Sequence, residues 1–120
     1  MTDALHKDEG KHYSEGKPGL QYILGMYGVD EVAKVGDWAV VNKYERWNYR
    51  NGLAWMELCG SCARHLGDFI KGKDRDDETG FHPIAHLVFD GLMILDFVIM
   101  KRGTDDRYKD IPKSPADLPF

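Results

Sequence analysis

Three ionisable side chains share one face of a long apolar segment in the second half of the chain. His82, His86 and Asp90 follow one another at intervals of four residues, so in a helix they lie on the same side. Ionisable groups among apolar side chains are costly to bury unless they are hydrogen-bonded or bind a metal. The pattern therefore indicates a metal or substrate site. A His–Asp hydrogen bond, or a cap for a neighbouring chain end, is the alternative interpretation.

An acidic loop, residues 72–81, leads directly into this face and contains Asp74, Asp76, Asp77 and Glu78. An acidic run taken alone is usually a solvated segment. This run could take part in a site because it directly precedes the face that carries His82, His86 and Asp90. Carboxylate oxygens suit Mg²⁺ or Mn²⁺, and nearby imidazoles favour a transition metal. We therefore expect a divalent cation, Mg²⁺ or Mn²⁺, as the cofactor.

A second polar cluster falls within one helical turn, at Arg64, His65 and Asp68. Arg64 could bind a phosphate, and His65 or Asp68 could hold a metal or a water. An exposed polar face with a local Arg–Asp pair is the alternative. Three further basic residues could bind a phosphate: Lys17, Lys43 and Arg46. Two aromatic residues, Trp47 and Tyr49, could stack on a nucleobase.

The two cysteines, Cys59 and Cys62, form a C-x-x-C motif. Redox chemistry needs such a motif at a helix amino terminus, where the thiol pKa is lowered. Here the motif lies inside a helical apolar pattern, so we predict that both cysteines pack in the core. A redox pair and a zinc-stabilised interaction module using Cys59, Cys62, His82 and His86 are the alternatives.

The elements that must position these residues are helical. Apolar residues recur at helical spacing over residues 31–43, 53–71 and 83–102, and Pro83 suits the first turn of the last segment. We predict an all-α fold, a compact bundle of three long helices plus short elements. The chain forms a single domain, 1–120, divided into an irregular amino-terminal arm (1–19), a helical core (20–102) and a carboxyl-terminal tail (103–120).

Charge and hydropathy restrict the partners of this domain. The formal net charge is −4, which argues against a nucleic acid polymer but not against a single nucleotide bridged by a metal. No uninterrupted apolar run reaches membrane-spanning length and no signal peptide is recognisable, so we expect no membrane partner and a cytoplasmic location. The last helix is apolar nearly all round and should be mostly buried. Because three helices cannot cover that much apolar surface, we predict a homo-oligomer.

Several short motifs occur in the order typical of one known family. They are Gly16-Lys17-Pro18-Gly19-Leu20, Lys43-Tyr44 followed by Trp47, Ala63-Arg64-His65-Leu66, Asp76-Asp77-Glu78-Thr79-Gly80, and Ala85-His86. Together they resemble the dATP/dGTP diphosphohydrolase family common in phage genomes, over roughly residues 14 to 100. Arg64, His65, Glu78 and His86 match family motif residues.

This resemblance implies hydrolysis of a purine deoxynucleoside triphosphate, dGTP or dATP, to the monophosphate and pyrophosphate. It also implies a MazG-like fold in which helix-borne carboxylates hold Mg²⁺ or Mn²⁺. In a phage, the location would be the host cytoplasm.

The resulting hypothesis is metal-assisted attack of water on a phosphoryl group. We assign the metal to Glu78, His86, Asp90 and Asp68, and catalysis to Glu78, His65 and Asp90. Four further residues are assigned to substrate binding: Lys17, Lys43, Trp47 and Arg64. The alternative is a phage nucleotide-binding protein that sequesters a nucleotide without catalysis. Departures from the family pattern favour it, such as Arg46 in the position where the family has Asn.

Overall fold

Four α-helices form the fold in the computed structural model, which describes residues 16–43, 52–108 and 114–117. Their bounds are α1, Leu20–Leu24; α2, Gly28–Asn42; α3, Trp55–Ile70; and α4, Pro83–Met100. A 3₁₀ turn follows at Pro115–Asp117. No strand occurs in these ranges beyond an isolated bridge between Ala54 and Thr104. The predicted all-α fold is confirmed.

The helix ends differ from prediction mainly at α2, which begins three residues early, at Gly28. Its N-cap residue is Tyr27. The carbonyls of Met26 and Tyr27 already accept hydrogen bonds from the N–H groups of Val29 and Asp30, so the helical turn begins before Glu31. Asp30 lies in the first turn of α2. A carboxylate there still interacts favourably with the helix dipole.

Helices α3 and α4 form an antiparallel hairpin that contains the main core. Trp55, Leu58, Met93 and Phe97 make one buried cluster, and Phe97 is fully enclosed. Burying such large apolar side chains contributes roughly 1.5–3 kcal/mol each relative to exposure. This pair of helices therefore forms the framework on which the polar residues of both helices are placed.

Helix α2 packs across α4 through small residues. Val35 and Ala39 are buried, and a Cβ at Gly36 would lie 3.3 Å from Cε1 of Phe89. A glycine inside a helix costs about 1 kcal/mol relative to alanine. Here it allows the backbone of α2 to approach the ring of Phe89 on α4.

The two open ends of the hairpin are joined by an end clasp, which we define as residues 52–56 and 102–107. The N–H of Thr104 donates to the Leu53 carbonyl (3.2 Å), and the N–H of Trp55 donates to the Thr104 carbonyl (3.0 Å). The Trp55 indole donates to the Arg102 carbonyl at 2.8 Å. Asp106 Oδ1 accepts from the Met56 N–H at 3.0 Å, which satisfies one of the free donors at the start of α3.

One face of α4 stays uncovered, contrary to the prediction that this helix is mostly buried. Leu92, Leu95 and Ile99 are 53%, 52% and 69% exposed, because α2 and α3 cover only the other sides. We expected no membrane-spanning segment, yet α4 is long and apolar enough to qualify as a candidate by length and composition alone. A core helix meets the same criterion, and α4 is the helix against which both α2 and α3 pack.

Candidate functional site

A group of histidines and aspartates lies where the acidic loop meets α3 and α4. We call it the His–Asp cluster: His65 and Asp68 from α3, Asp76 from the loop, and His86 and Asp90 from α4. The rings of His65 and His86 stack, with centroids 4.6 Å apart and an interplanar angle of 13°. Residues far apart in the chain therefore converge on one small polar region beside the apolar core.

The turn of the acidic loop fixes Asp76. Its Oδ2 accepts hydrogen bonds from the N–H groups of Glu78 and Thr79, both at 3.0 Å, and from the Thr79 hydroxyl at 3.2 Å. Burial disfavours the charged form of Asp76, but these hydrogen bonds outweigh it and hold the pKa of the carboxyl below its ordinary value. Asp76 is therefore a positioned carboxylate at neutral pH.

His86 is the most buried of the ionisable residues in the cluster, with 6% of its surface exposed. Its Nε2 lies 2.6 Å from the Thr79 hydroxyl oxygen. Burial lowers the pKa of His86 below its ordinary value, and the nearby charge of His65 acts in the same direction. A neutral His86 can donate from Nε2 to the Thr79 hydroxyl, which in turn donates to Asp76 Oδ2.

His65 holds the unsatisfied atom of the cluster. Its Nδ1 is buried and has no hydrogen-bond partner among the described residues, and it lies 3.8 Å from Asp76 Oδ1. His65, Asp68 and Asp76 each offer one ligand atom, and these atoms lie within 4.8 Å of one another. Two ligand atoms of one ion, each about 2.0–2.2 Å from it, lie at most about 4.4 Å apart. The three donors are of the right kind for a divalent cation, and a small inward movement of the side chains would bring all of them to ligand distance.

The other face of His65 meets Asp90. His65 Nε2 lies 4.0 Å from Asp90 Oδ2, and the same oxygen accepts a hydrogen bond from the Ser61 hydroxyl at 2.6 Å. This separation from Nε2 is longer than a hydrogen bond. Asp90 therefore lies beside one edge of the His65 ring, and the Nδ1 on the opposite edge faces Asp76.

His82 does not join His86 and Asp90, although the three share one helical spacing. Helix α4 begins at Pro83, and His82 has an extended backbone. Its Nδ1 accepts from the Ile84 N–H at 3.0 Å, and its Nε2 lies 3.5 Å from Asp74. His82 is therefore the N-cap of its own helix, α4, a role that differs from the cap for a neighbouring chain end considered above.

The predicted substrate-binding residues lie in different places. Lys43, at the end of α2, has its Nζ 5.4 Å from the ring centroid of Trp38, and that ring meets His86 edge-on at 6.3 Å. Lys17 is exposed before α1, and Arg64 is exposed with Nη1 near Gly60, one turn back along α3. Trp47 lies outside the described residues. Lys43 is thus the substrate candidate that the fold brings beside the cluster.

Comparison with known proteins agrees with the sequence motifs. Residues 7–107 match the family model described as dATP/dGTP diphosphohydrolase, N-terminal. The chain belongs to this family. It is 35% identical over 100 residues to a dATP/dGTP diphosphohydrolase of Salmonella phage PMBT28, an alignment that covers 81% of this chain and 32% of that relative. No solved structure matches the chain.

In this member of the dATP/dGTP diphosphohydrolase N-terminal family, the acidic loop turns Asp76 inward and leaves Glu78 exposed. From the sequence, Asp76 is one of four acidic residues of the loop, and Glu78 is the one predicted to bind the metal. The signal that distinguishes Asp76 is the threonine three residues later, a spacing typical of an aspartate that accepts local backbone N–H groups. Ser61 and Thr79, which hold Asp90 and His86, were missed because their partners lie on other elements.

The cysteines do not assemble a zinc site with His82 and His86. Both are free thiols, and among the described residues the group able to hold a metal contains neither of them. The Cys62 thiol is directed towards the Leu87 carbonyl of α4, with Sγ and oxygen 3.8 Å apart. Both cysteines are partly buried along α3, which agrees with a packing role within the family's helical core.

Proposed function

We propose that this chain binds one divalent cation, Mg²⁺ or Mn²⁺, through His65, Asp68 and Asp76, and that it hydrolyses dGTP or dATP to the monophosphate and pyrophosphate. The observation that carries the metal site is the buried Nδ1 of His65, which has no hydrogen-bond partner within the described part of the chain and lies beside a positioned carboxylate. Support for the reaction comes from the relative, whose name is dATP/dGTP diphosphohydrolase.

The side chains around this metal site have separable roles in the proposal. A divalent ion held there would neutralise phosphate charge and supply an ionised water. His86 and Thr79 hold Asp76 in place, and Asp90 lies beside His65; this is an outer role for His86 and Asp90, which we had predicted as direct ligands. The proposed MazG-like arrangement thus draws carboxylates from both helices and from the loop.

The proposal takes its substrate contacts from residues other than the metal ligands. Lys43, Arg64 and Lys17 place positive charge for the phosphates, since positioning and electrostatics carry most of phosphoryl transfer. Trp47 is proposed to stack on the base. Glu78, exposed on the loop beside Asp76, keeps its predicted catalytic role.

Product analysis tests the reaction. The protein is incubated with a panel of dNTPs and NTPs in Mg²⁺ and in Mn²⁺, and the products are separated by anion-exchange chromatography. We expect pyrophosphate and a monophosphate from dGTP or dATP. Replacing Glu78 or Asp90 with Ala should abolish turnover and leave the helical circular dichroism unchanged; full activity in either variant would remove its assigned role.

Metal binding is tested separately, by calorimetric titration with Mn²⁺. Asp76→Asn should weaken Mn²⁺ binding about tenfold or more, because a charged ligand is lost. Asp77→Asn is the matched control, since Asp77 is 82% exposed and pairs with Lys73 on the outside of the loop. Equal Mn²⁺ affinities in the two variants would contradict the proposed ligand set.

A nucleotide-binding protein without catalysis is the second candidate. The chain spans 32% of the length of its relative, so the relative's activity can draw on residues that have no counterpart here. Tight binding of dGTP in Mn²⁺ with no product would decide for this candidate. The metal site is common to both proposals.

We also propose a homo-oligomer that buries the open face of α4, located in the host cytoplasm. Val88, Leu92, Leu95 and Ile99 follow one another at spacings of four, three and four residues along that face, and all are exposed. Such spacing is typical of a helix–helix seam. A second copy of α4, carrying the same seam, would cover it.

A further inference from the structure

A cavity of about 630 Å³ opens between α2 and the acidic loop. Thr79, Gly80, Phe81 and His82 line it from the loop side, and Glu31 and Lys34 from α2. Its volume lies within the range of small-molecule sites, roughly 300–1,000 Å³. Thr79 also hydrogen-bonds Asp76 and His86, so one side chain connects this cavity with the His–Asp cluster.

The walls of the cavity combine an aromatic ring with cations. Phe81 is partly buried, and its ring centroid lies 6.2 Å from that of His86. Lys34 and Arg75 line the same space. Aromatic faces accept any nucleobase, and ammonium and guanidinium groups bind phosphate oxygens. A ligand with one planar ring and an anionic tail, which is a nucleotide, matches this combination.

The charged side chains that line the cavity nearly cancel one another. Its two cations are matched by two carboxylates, Glu31 and Asp74, and Lys34 already pairs with Glu31 at 2.9 Å. A triphosphate therefore gains little net attraction from the cavity alone. A cation at the adjoining His–Asp cluster would supply the missing positive charge, so nucleotide binding here should depend on the metal.

We propose that this cavity is the nucleotide subsite, with the base against Phe81 and the phosphates directed past Lys34 and Arg75 to Thr79 and the metal ligands. The inference rests on the proposed function and extends it, because it places the substrate on the α2 side of the loop. This placement gives the base contact to Phe81 in place of Trp47. It gives the phosphate contacts to Lys34 and Arg75 in place of Lys17, Lys43 and Arg64, which do not line this cavity.

The test is calorimetric binding of α,β-imido-dGTP, which resists cleavage between the α and β phosphates, with and without Mn²⁺. Lys34→Met and Arg75→Met should each weaken binding about threefold to fivefold in Mn²⁺, as expected for partly solvated charges. Arg102→Met is the matched control, because Arg102 is exposed at the end clasp, at the opposite end of the hairpin. Mn²⁺ affinity without nucleotide should be unchanged in all three variants.

Phe81→Leu provides a second, independent measurement. Leucine keeps an apolar side chain in the loop but cannot stack, so binding of dGMP should weaken in this variant while binding of pyrophosphate should not. Removing Mn²⁺ should weaken α,β-imido-dGTP binding by more than tenfold but leave deoxyguanosine binding unchanged.

The outcomes separate the two proposals. If the wild type binds Mn²⁺ and hydrolyses dGTP but the three cavity variants bind the analogue as the wild type does, the cavity proposal is overturned and the proposed function stands. If the wild type binds the analogue through these residues but forms no product, the subsite stands and the catalytic proposal fails. Absence of analogue binding in the presence of bound Mn²⁺ overturns the subsite.

Discussion

Cys62 lies in the polar side of the α3–α4 contact, with its Sγ 3.8 Å from the Leu87 carbonyl. Burial raises the pKa of the Cys62 thiol, and the negative charge of Asp90 and the neighbouring Cys59 raise it further. A higher pKa means less thiolate at neutral pH, and the thiolate is the reactive form. The C-x-x-C motif is therefore poorly suited to redox chemistry.

Alkylation kinetics test this interpretation. In the Cys59→Ser variant, iodoacetamide should modify Cys62 more slowly at pH 7.5 than it modifies a free small-molecule thiol, and the rate should still be rising above pH 9. The Cys62→Ser variant reports Cys59 in the same helix and serves as the comparison. A Cys62 rate that levels off below pH 8 would contradict the raised pKa.

At the scale of single residues, sequence spacing was informative where one helix sets the geometry. His86 and Asp90 were expected on one face of α4, and the fold brings both to the cluster with His65. Asp76 could not be distinguished from Glu78 in the same way. Which acidic side chain turns inward depends on the turn that the loop adopts, and the backbone N–H groups of Glu78 and Thr79 select Asp76.

The end clasp depends on a close approach of two backbones. Gly103 has φ = 74°, and a Cβ there would overlap the Leu53 carbonyl oxygen. Gly103→Ala should destabilise the fold by about 3 kcal/mol, since left-handed strain is combined with a backbone overlap. Gly72→Ala is the control, because Gly72 has φ = 98° but nothing within 4 Å; it should cost about 1 kcal/mol.

Urea unfolding followed by circular dichroism measures both costs. The unfolding midpoint of Gly103→Ala should fall well below that of Gly72→Ala, with similar slopes. Equal midpoints would mean that the clasp adjusts without loss.

Among the elements, the long helices could be predicted and the clasp could not. Apolar spacing and Pro83 locate α3 and α4 to within about two residues, because helical periodicity is a local property. The clasp joins residues about fifty positions apart, such as Trp55 and Arg102. Its hydrogen bonds require α3 and α4 to be packed together, so no local sequence pattern predicts them.

For the whole molecule, the sequence predicts that α4 has more apolar surface than its neighbours can cover. It does not predict which side of α4 stays exposed. Helices α2 and α3 cover two sides of α4, and none of the other described residues covers the third side. An all-round apolar pattern tells how much surface needs covering, but not which neighbour covers each side. This open face is the basis of the oligomer proposal.

Light scattering coupled to size exclusion tests the oligomer. The wild-type chain should elute with a mass of two or more protomers, and the double variant Leu92→Glu, Leu95→Glu should elute as a monomer. Ile70→Glu is the control, because Ile70 is 73% exposed at the end of α3, outside the seam; it should keep the wild-type mass. A monomeric wild type would contradict the proposal.

The end clasp should allow the α3–α4 hairpin to survive a break in the chain. The hairpin of α3 and α4 is closed covalently through the acidic loop at one end and by hydrogen bonds at the other, where the N–H of Trp55 meets the Thr104 carbonyl. Severing the peptide bond after Lys71 would leave the second closure and the shared apolar core intact. The two resulting fragments would remain associated, each holding part of the His–Asp cluster: His65 and Asp68 on one, Asp76, His86 and Asp90 on the other. We therefore expect the domain to divide into two complementary halves whose reassembly re-forms the His–Asp cluster.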